Sequence, residues 1–420
     1  MTRWLVSAAA ICLSVAVPVS VSAETLREAI ARAYATNPQL AAARARQEAL
    51  AETPEQARAA GRPTLSVGMD TGYDRLGYGR AGSASLGAAL PIWTGGRVPS
   101  AVRAASADVA AGAEDLRDTE AAVLLTVVSA YADLLYNQQA VEVARVGIER
   151  LDDQVAEARS RFGLGQATRT DVAQLEAQRA SVVANLADAD GALAVAAASY
   201  RAIVGQDAGT LSPQIPAPAA LPGDRDAARL AALSGDPLLA RQRRIVDAAA
   251  ARIDQARADR APSLDYAGNY GRGARWADGS IRGYDAAASI GLAVRVPLLT
   301  GGLVPSRIRQ AEATGRAERF QADAAEREAL RGADAAWATL RAAQDRLKAN
   351  TDGLTAADLA LTGVRAEYGF GLRSTIDILV ADQSFRSAQL AVAAARADVV
   401  VAQAVLLRAT GRLGRGAYEG

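Results

Sequence analysis

Histidine is absent from this 420-residue chain, and the single cysteine, Cys12, falls in an apolar N-terminal stretch. The commonest general base and metal ligand is therefore missing, and no thiol or disulfide chemistry exists beyond Cys12. Gly77-Tyr78-Gly79-Arg80-Ala81-Gly82 fits a GxGxxG pattern. A nucleotide fold needs that pattern between a strand and a helix, whereas here it falls between two stretches of strand-like alternation. No P-loop, zinc spacing, nucleophile elbow or catalytic carboxylate pair is present. The residues left to do chemistry flank two glycine turns. One is Phe162-Gly163-Leu164-Gly165 followed by Thr170-Asp171; the other is Tyr368-Gly369-Phe370-Gly371-Leu372-Arg373 followed by Ile376-Asp377. Hydroxyls, carboxylates and a guanidinium make charge-assisted bonds that hold yet exchange. By themselves the two turns read as hairpin punctuation, glycine ending one helix and Thr or Asp capping the next. Neither an enzyme nor a cofactor is expected.

The two turns stand 206 residues apart, and so does much else. Leu90-Pro91-Ile92-Trp93-Thr94-Gly95-Gly96 returns as Val296-Pro297-Leu298-Leu299-Thr300-Gly301-Gly302, and Gly205 returns as Gly411. A duplication this regular implies two similar structural units. They are read as 24–210 and 225–411, joined by a Pro-rich linker at 211–224 (Pro213, Pro216, Pro218, Pro222) and followed by a poorly ordered tail at 412–420.

Each unit must position its turn on long elements. Glu24 to about Gly61 reads as helix broken at Asn37-Pro38, and Asp224 to about Arg260 as its counterpart broken at Asp236-Pro237. From Pro99 to about Arg161 no proline interrupts a run that would make a rod of about 90 Å. Val127, Leu134, Val141, Ile148 and Val155 recur every seven residues, matched by Ala333, Leu340, Leu347, Leu354 and Leu361. This predicts coiled-coil-like packing. Returning helices are expected from Asp171 to about Ile203 and from Asp377 to about Ala409.

Between the first helices and the rods lie strands. Leu65, Val67 and Met69 alternate with Ser66, Gly68 and Asp70; Leu86, Ala88, Leu90 and Ile92 alternate with small residues; Ile290, Leu292, Val294 and Val296 do the same, and Leu264 and Tyr266 open the third strand. One apolar face and one small or polar face fits a lipid-facing barrel wall around a wet lumen. Gly72 to Gly82 and Arg272 to Gly283 read as solvated loops, with the second copy seven residues longer before Pro297. Trp93, Tyr266 and Tyr270 fit either an interfacial aromatic belt or packing at the barrel rim.

The 47 basic and 46 acidic residues nearly cancel, so no charge excess draws nucleic acid. Half the residues are hydrophobic but only 5% are aromatic, and alanine supplies much of the apolar count. Arg3, the apolar Trp4 to Val21 and the small-x-small Val21-Ser22-Ala23 predict an export signal over 1–23, the alternative being a membrane anchor. No later apolar run reads as a membrane-spanning helix, so a mature chain crossing a membrane must use strands. Four strands cannot close a barrel and would leave unpaired edges in lipid. Two, three or four copies would supply 8, 12 or 16.

The order of signal, strands and helical hairpins resembles the TolC family of outer-membrane efflux and secretion channels. So do Thr25-Leu26-Arg27-Glu28-Ala29, Asn37-Pro38 and the two PxxTGG turns. The resemblance covers essentially the whole mature chain. It implies a mainly α fold with a small β part. The expected assembly is a homotrimer forming a 12-strand barrel in outer-membrane lipid on a 12-helix periplasmic tunnel. It implies a passive exit duct that docks a periplasmic adaptor (membrane fusion) protein and is driven by an inner-membrane ABC or proton-driven transporter. Carried over, Tyr368 and Arg373 would bond Thr170 and Asp171 to lock the gate, and Asp377 would form an acidic constriction ring. Val380 stands where the best-known members carry a second Asp, and Asp382 offers a substitute at another helical phase. Gly163, Leu164, Gly165, Gly369, Phe370 and Gly371 would be adaptor contacts. The alternative is a periplasmic coiled-coil adaptor or scaffold without a pore.

Overall fold

A computed structural model describes residues 23–74, 79–218, 220–277 and 280–418. The expected export signal, apart from Ala23, and Gly77-Tyr78 of the GxGxxG match lie outside the described residues. The chain begins with α1 (Leu26–Thr36), α2 (Pro38–Ala51) and α3 (Thr53–Ala59). Thr25 and Glu28 close a capping box on α1, and Asn37 caps α2 ahead of Pro38. Thr53-Pro54 restarts the chain as α3, because proline cannot supply the N–H that would continue α2.

Strands β1 (Thr64–Asp74) and β2 (Gly79–Trp93) follow, then α4 (Arg97–Gly163) and α5 (Arg169–Val204). The second unit repeats the order with α6 (Arg225–Gly235), α7 (Pro237–Ala258), β3 (Ser263–Ala277), β4 (Ser280–Arg295), α8 (Leu303–Gly369) and α9 (Thr375–Ala409). Helices α4 and α8 are each 67 residues long, about 100 Å at 1.5 Å per residue. Both start after paired glycines at positive φ, Gly95-Gly96 and Gly301-Gly302, where a side chain would strain the turn. A Cβ on Gly95 would also strike the Ala261 side chain at 2.5 Å.

The four strands form one antiparallel sheet in the order β1-β2-β3-β4. Register turns the alternation into a continuous face. Val67 pairs with Leu86, Leu86 with Tyr270, Leu90 with Tyr266, Tyr266 with Leu292 and Leu264 with Val294. The other face sets Ser66 against Gly87 and Gly87 against Asn269. Leu65, Val67, Met69, Ile290, Leu292 and Val294 are all exposed. Trp93, Tyr266 and Tyr270 share that apolar face and are exposed too. The register shifts between Pro91 and Trp93, where proline withholds a ladder hydrogen bond.

Three expectations are corrected. The stretch Arg272 to Gly283 is not a long loop: β3 runs to Ala277 and β4 resumes at Ser280, while Gly72–Asp74 and Gly79–Gly82 are also strand. Glycine and arginine do not stop a ladder whose bonds are all backbone, so the hairpin simply lengthens. The tail is ordered as far as Tyr418: Leu413 and Tyr418 are buried in the cluster of Leu26, Ile30, Leu124, Val128, Tyr131 and Tyr200. Apolar anchoring at two positions overcomes the tail's polar composition. Finally, α4, α5 and α9 each contain a window long and apolar enough to cross a membrane by length and composition. Alanine and valine raise that hydropathy, and only 11% of the α5 window is buried.

The predicted heptad is the packing seam. Val127, Leu134, Val141 and Val155 are buried, as are Ala333, Leu340 and Leu361, while Ile148, Leu347 and Leu354 are half-buried. The two units meet where α9 lies on α4 and α7 lies on both α4 and α8. Near the middle of the rods Tyr131 Oη lies 2.8 Å from the Glu24 carbonyl and 2.9 Å from that of Ser212, and Tyr200 donates to the Glu24 carboxylate at 2.8 Å. These bonds fasten the start of α1 and the interrepeat segment to the rods.

Candidate gate at the helical tips

Both hairpins turn by the same device. Gly165 and Gly371 adopt φ of 75° and 74°. The N–H groups of Gln166 and Leu372 reach back to the carbonyls of Arg161 and Glu367 at 2.8 and 2.9 Å, ending α4 and α8. Capping boxes then start the return helices. Thr168 N and Oγ1 donate to Asp171 Oδ2 at 2.9 and 2.8 Å; Ser374 N and Oγ donate to Asp377 Oδ2 at the same two distances. These bonds hold both carboxyls below the usual carboxylate range. For Asp171 the Thr375 hydroxyl, from α9, adds a smaller contribution in the same direction. Leu164, Phe370, Leu372 and Ile376 leave the tips apolar and exposed.

Within one chain the four residues of the expected lock make their described contacts to other residues. Arg373 Nε bonds Glu367 Oε2 at 2.7 Å, on its own hairpin. Tyr368 lies under Arg161, 4.9 Å from guanidinium carbon to ring centroid, and Arg161 also pairs with Glu157 at 2.6 Å. Thr170 is exposed and makes no side-chain hydrogen bond among the described residues. The residue of the second hairpin that meets Asp171 is Thr375, which is buried. The reason is reach: Glu367 stands one short turn from Arg373 and neutralises it first. Tyr368 and Thr375 line a cavity of about 270 Å³ with Gln154, Arg161 and Arg365.

Asp377 sits on the first turn of α9, partly exposed, and Val380 is 59% exposed one turn on. Asp382 is no substitute for an acid at Val380. It is completely buried, 3.0 Å from Arg386 Nε and 3.5 Å from Arg365 Nη2. Both contacts are within ion-pair range, although neither carboxylate oxygen has a well-aligned hydrogen bond. Sequence reasoning missed Arg161, Arg365, Thr375 and Arg386. A signal existed for one of them: Arg159 and Glu176 are the repeat counterparts of Arg365 and Asp382, and they too pair, at 2.6 Å.

Paired helical rods ending in apolar, capped turns, under a sheet with one exposed apolar face, define a channel-forming protein that stands in a membrane. The outer membrane efflux protein family matches residues 29–206 and again 230–412, one match per repeat. BepC of Brucella suis, an outer membrane efflux protein, is 32% identical over 398 residues, covering 93% of this chain and 86% of BepC. The outer membrane protein TolC of Escherichia coli is 26% identical over 423 residues, covering 93% and 83%. The solved outer membrane protein VceC of Vibrio cholerae superposes with a TM-score of 0.74 at 22% identity, covering 92% and 96%. The chain belongs to the outer membrane efflux protein family. It is an outer-membrane channel, the exit duct of a tripartite efflux pump or type I secretion system, with its helices in the periplasm. An adaptor without a pore is excluded.

Proposed function

We propose that three copies assemble into a 12-strand barrel over a 12-helix tunnel, gated at the tips and passive in transport. The observation that carries this is the sheet. β1 and β4 each have one neighbour, so both edges are open beneath an exposed apolar face. Open edges in lipid cost several kcal/mol per unpaired group, and a neighbour's β1 on β4 removes them. The bare apolar face of α5 supports the same reading, since by the internal repeat it corresponds to the α9 face that α4 covers. Closure then uses Asp171 with Thr375, Tyr368 on Arg161, and exchange of Arg373 from Glu367 to the Thr170-Asp171 turn of an adjacent hairpin. Asp377 lines the constriction. The exposed turns Gly163-Leu164-Gly165 and Gly369-Phe370-Gly371 receive a periplasmic adaptor, which links the duct to an inner-membrane ABC or proton-driven transporter. Purified protein from outer-membrane fractions should run as a heat-modifiable trimer and open discrete conductances in a planar bilayer. A detergent-independent, monodisperse folded monomer without conductance overturns the reading.

A further inference from the structure

The sheet sorts its charges by face. Even-numbered residues of β2 and β3 lie on the apolar side, among them Leu86, Leu90, Tyr266 and Tyr270. Arg80 and Arg272 keep that parity, and both are exposed. Among the described residues of that face no other is charged. Asp70 and Asp265 stand on the opposite face, paired with Ser83 and Ala293, and so does Arg295, paired with Ser263. Charge reaches the apolar side as cation alone.

The two arginines also share one end of the sheet. Helix α4 leaves beyond Trp93, so the end where Trp93 pairs with Leu264 is periplasmic and the hairpin ends point out of the cell. Along β3 the apolar side reads Leu264, Tyr266, Gly268, Tyr270 and then Arg272. Eight residues at 3.3 Å make roughly 26 Å of strand, or about 20 Å of height at a barrel's usual tilt, which is most of the apolar band. Arg272 therefore stands where the outer-leaflet headgroups begin. Its partner on β2 is Ala84, and Arg80 lies one hairpin-ward step beyond Gly82, paired with Tyr73. Gly82, Ala84 and Ala274 make a shallow floor with a cation at each end. Strands β2 and β3 are the inner two of the sheet, so a copy joining either edge leaves this face uncovered.

We infer that Arg80 and Arg272 bind the phosphate groups of the glycolipid that forms the outer leaflet. This rests on the barrel reading above. Guanidinium groups hold phosphate through paired, charge-assisted hydrogen bonds, in a fork that an ammonium does not offer. An arginine at the edge of the band lays its stem along apolar surface and keeps its head among the headgroups. The helix end of the same face has no counterpart: Leu65, Leu264 and Val294 finish it without charge. The site thus distinguishes the two leaflets, which a general preference of arginine for membrane interfaces would not.

The test follows binding of fluorescent bisphosphorylated lipid A to full-length trimers in detergent, comparing Arg80→Gln, Arg272→Gln and, on the opposite face, Arg295→Gln. Heat-modifiable, conducting wild-type trimers establish the barrel independently of any lipid. Each apolar-side variant should bind about ten-fold more weakly at unchanged conductance, while Arg295→Gln matches wild type. Unlabelled lipid A should displace the probe far better than its dephosphorylated form, phosphatidylglycerol or inorganic phosphate. Equal displacement by inorganic phosphate would assign the site to a free anion, and equal displacement by phosphatidylglycerol would reduce the arginines to general anchors; either result overturns the inference. So do intact variants that bind as wild type does, or equal weakening by Arg295→Gln. If Arg272→Gln does not assemble, Arg80→Gln decides alone, and failure of both assigns the pair to folding and overturns the inference too.

Discussion

Arg373 Nε donates to Glu367 Oε2 at 2.7 Å, so the arginine expected to hold the opposite hairpin is held by its own. The pair is nearly half exposed, and such pairs contribute little and exchange readily. Removing the arginine frees Glu367 and deletes any lock it makes elsewhere. Tyr368→Phe leaves the stacking on Arg161 intact and removes only the hydroxyl. Arg373→Ser with Tyr368→Phe should therefore raise single-channel conductance several-fold in intact trimers. Trimers of unchanged conductance would mean that Thr375 and the buried contacts carry closure alone.

Val67 and Ser66 are neighbours on β1 facing opposite ways, one opposite Leu86 and the other opposite Gly87. An arginine on the lipid side of a barrel costs about 2–4 kcal/mol at the bilayer midplane, and almost nothing on the lumen side. Val67→Arg should reduce heat-modifiable trimer in outer-membrane fractions. Ser66→Arg should assemble normally and shift the ion selectivity of the pore toward anions. Equal assembly of both variants would remove the assignment of the two faces.

Periodicity made most of this architecture legible. The 206-residue repeat, the heptad from Val127 and the period-two strands needed only spacing, and spacing is written in the chain. Strand length was not legible, because Gly-Arg-rich segments such as Arg272 to Ala277 look like turns when the backbone ladder that sustains them is out of view. The burial of Tyr418 was also hidden, since one aromatic in a polar tail declares no partner. At the gate the caps were readable from Thr168, Asp171, Ser374 and Asp377, whose contacts are local. Asp382 was misjudged because its burial and its pairing with Arg365 depend on how α8 packs on α9, which spacing along α9 does not declare.

Asp334 gives a pH-dependent handle on the second unit. Arg225 binds its two carboxylate oxygens at 2.9 and 3.0 Å, and Arg229 binds them both at 2.8 Å, tying α6 to α8. Hydrogen bonds from the two guanidinium groups hold its carboxyl far below the ordinary carboxylate range. A depressed folded-state pKa gives stability that is complete above the unfolded value, about 4, and disappears as pH falls through the folded one. Asp334→Asn should therefore lower the thermal midpoint at pH 7, with a gap that narrows steadily below pH 4. Solvent screening at this partly exposed site keeps the effect to a few degrees. A gap independent of pH would show that packing, not charge, links the two helices.

Val380 sets the expected ionic character of the constriction. It is 59% exposed on the helix that carries Asp377 three residues earlier, on the same face and one turn further from the tip. A trimer with one carboxylate per chain at this level presents three charges, and Asp382 adds none, being buried against two arginines. Hydrogen bonds from Ser374 hold the Asp377 carboxyl below the ordinary carboxylate range within one chain. Wild-type pores should therefore be blocked only weakly by multivalent cations. Val380→Asp doubles the ring to six charges, and like charges one turn apart bind a common cation more tightly than either set alone. The variant should show at least a ten-fold lower blocking concentration for a trivalent cation, measured as conductance against added salt. Asp377→Asn should abolish what block the wild type has. If Val380→Asp leaves the blocking concentration where it was, the narrowest part of the duct lies away from the first turns of α9.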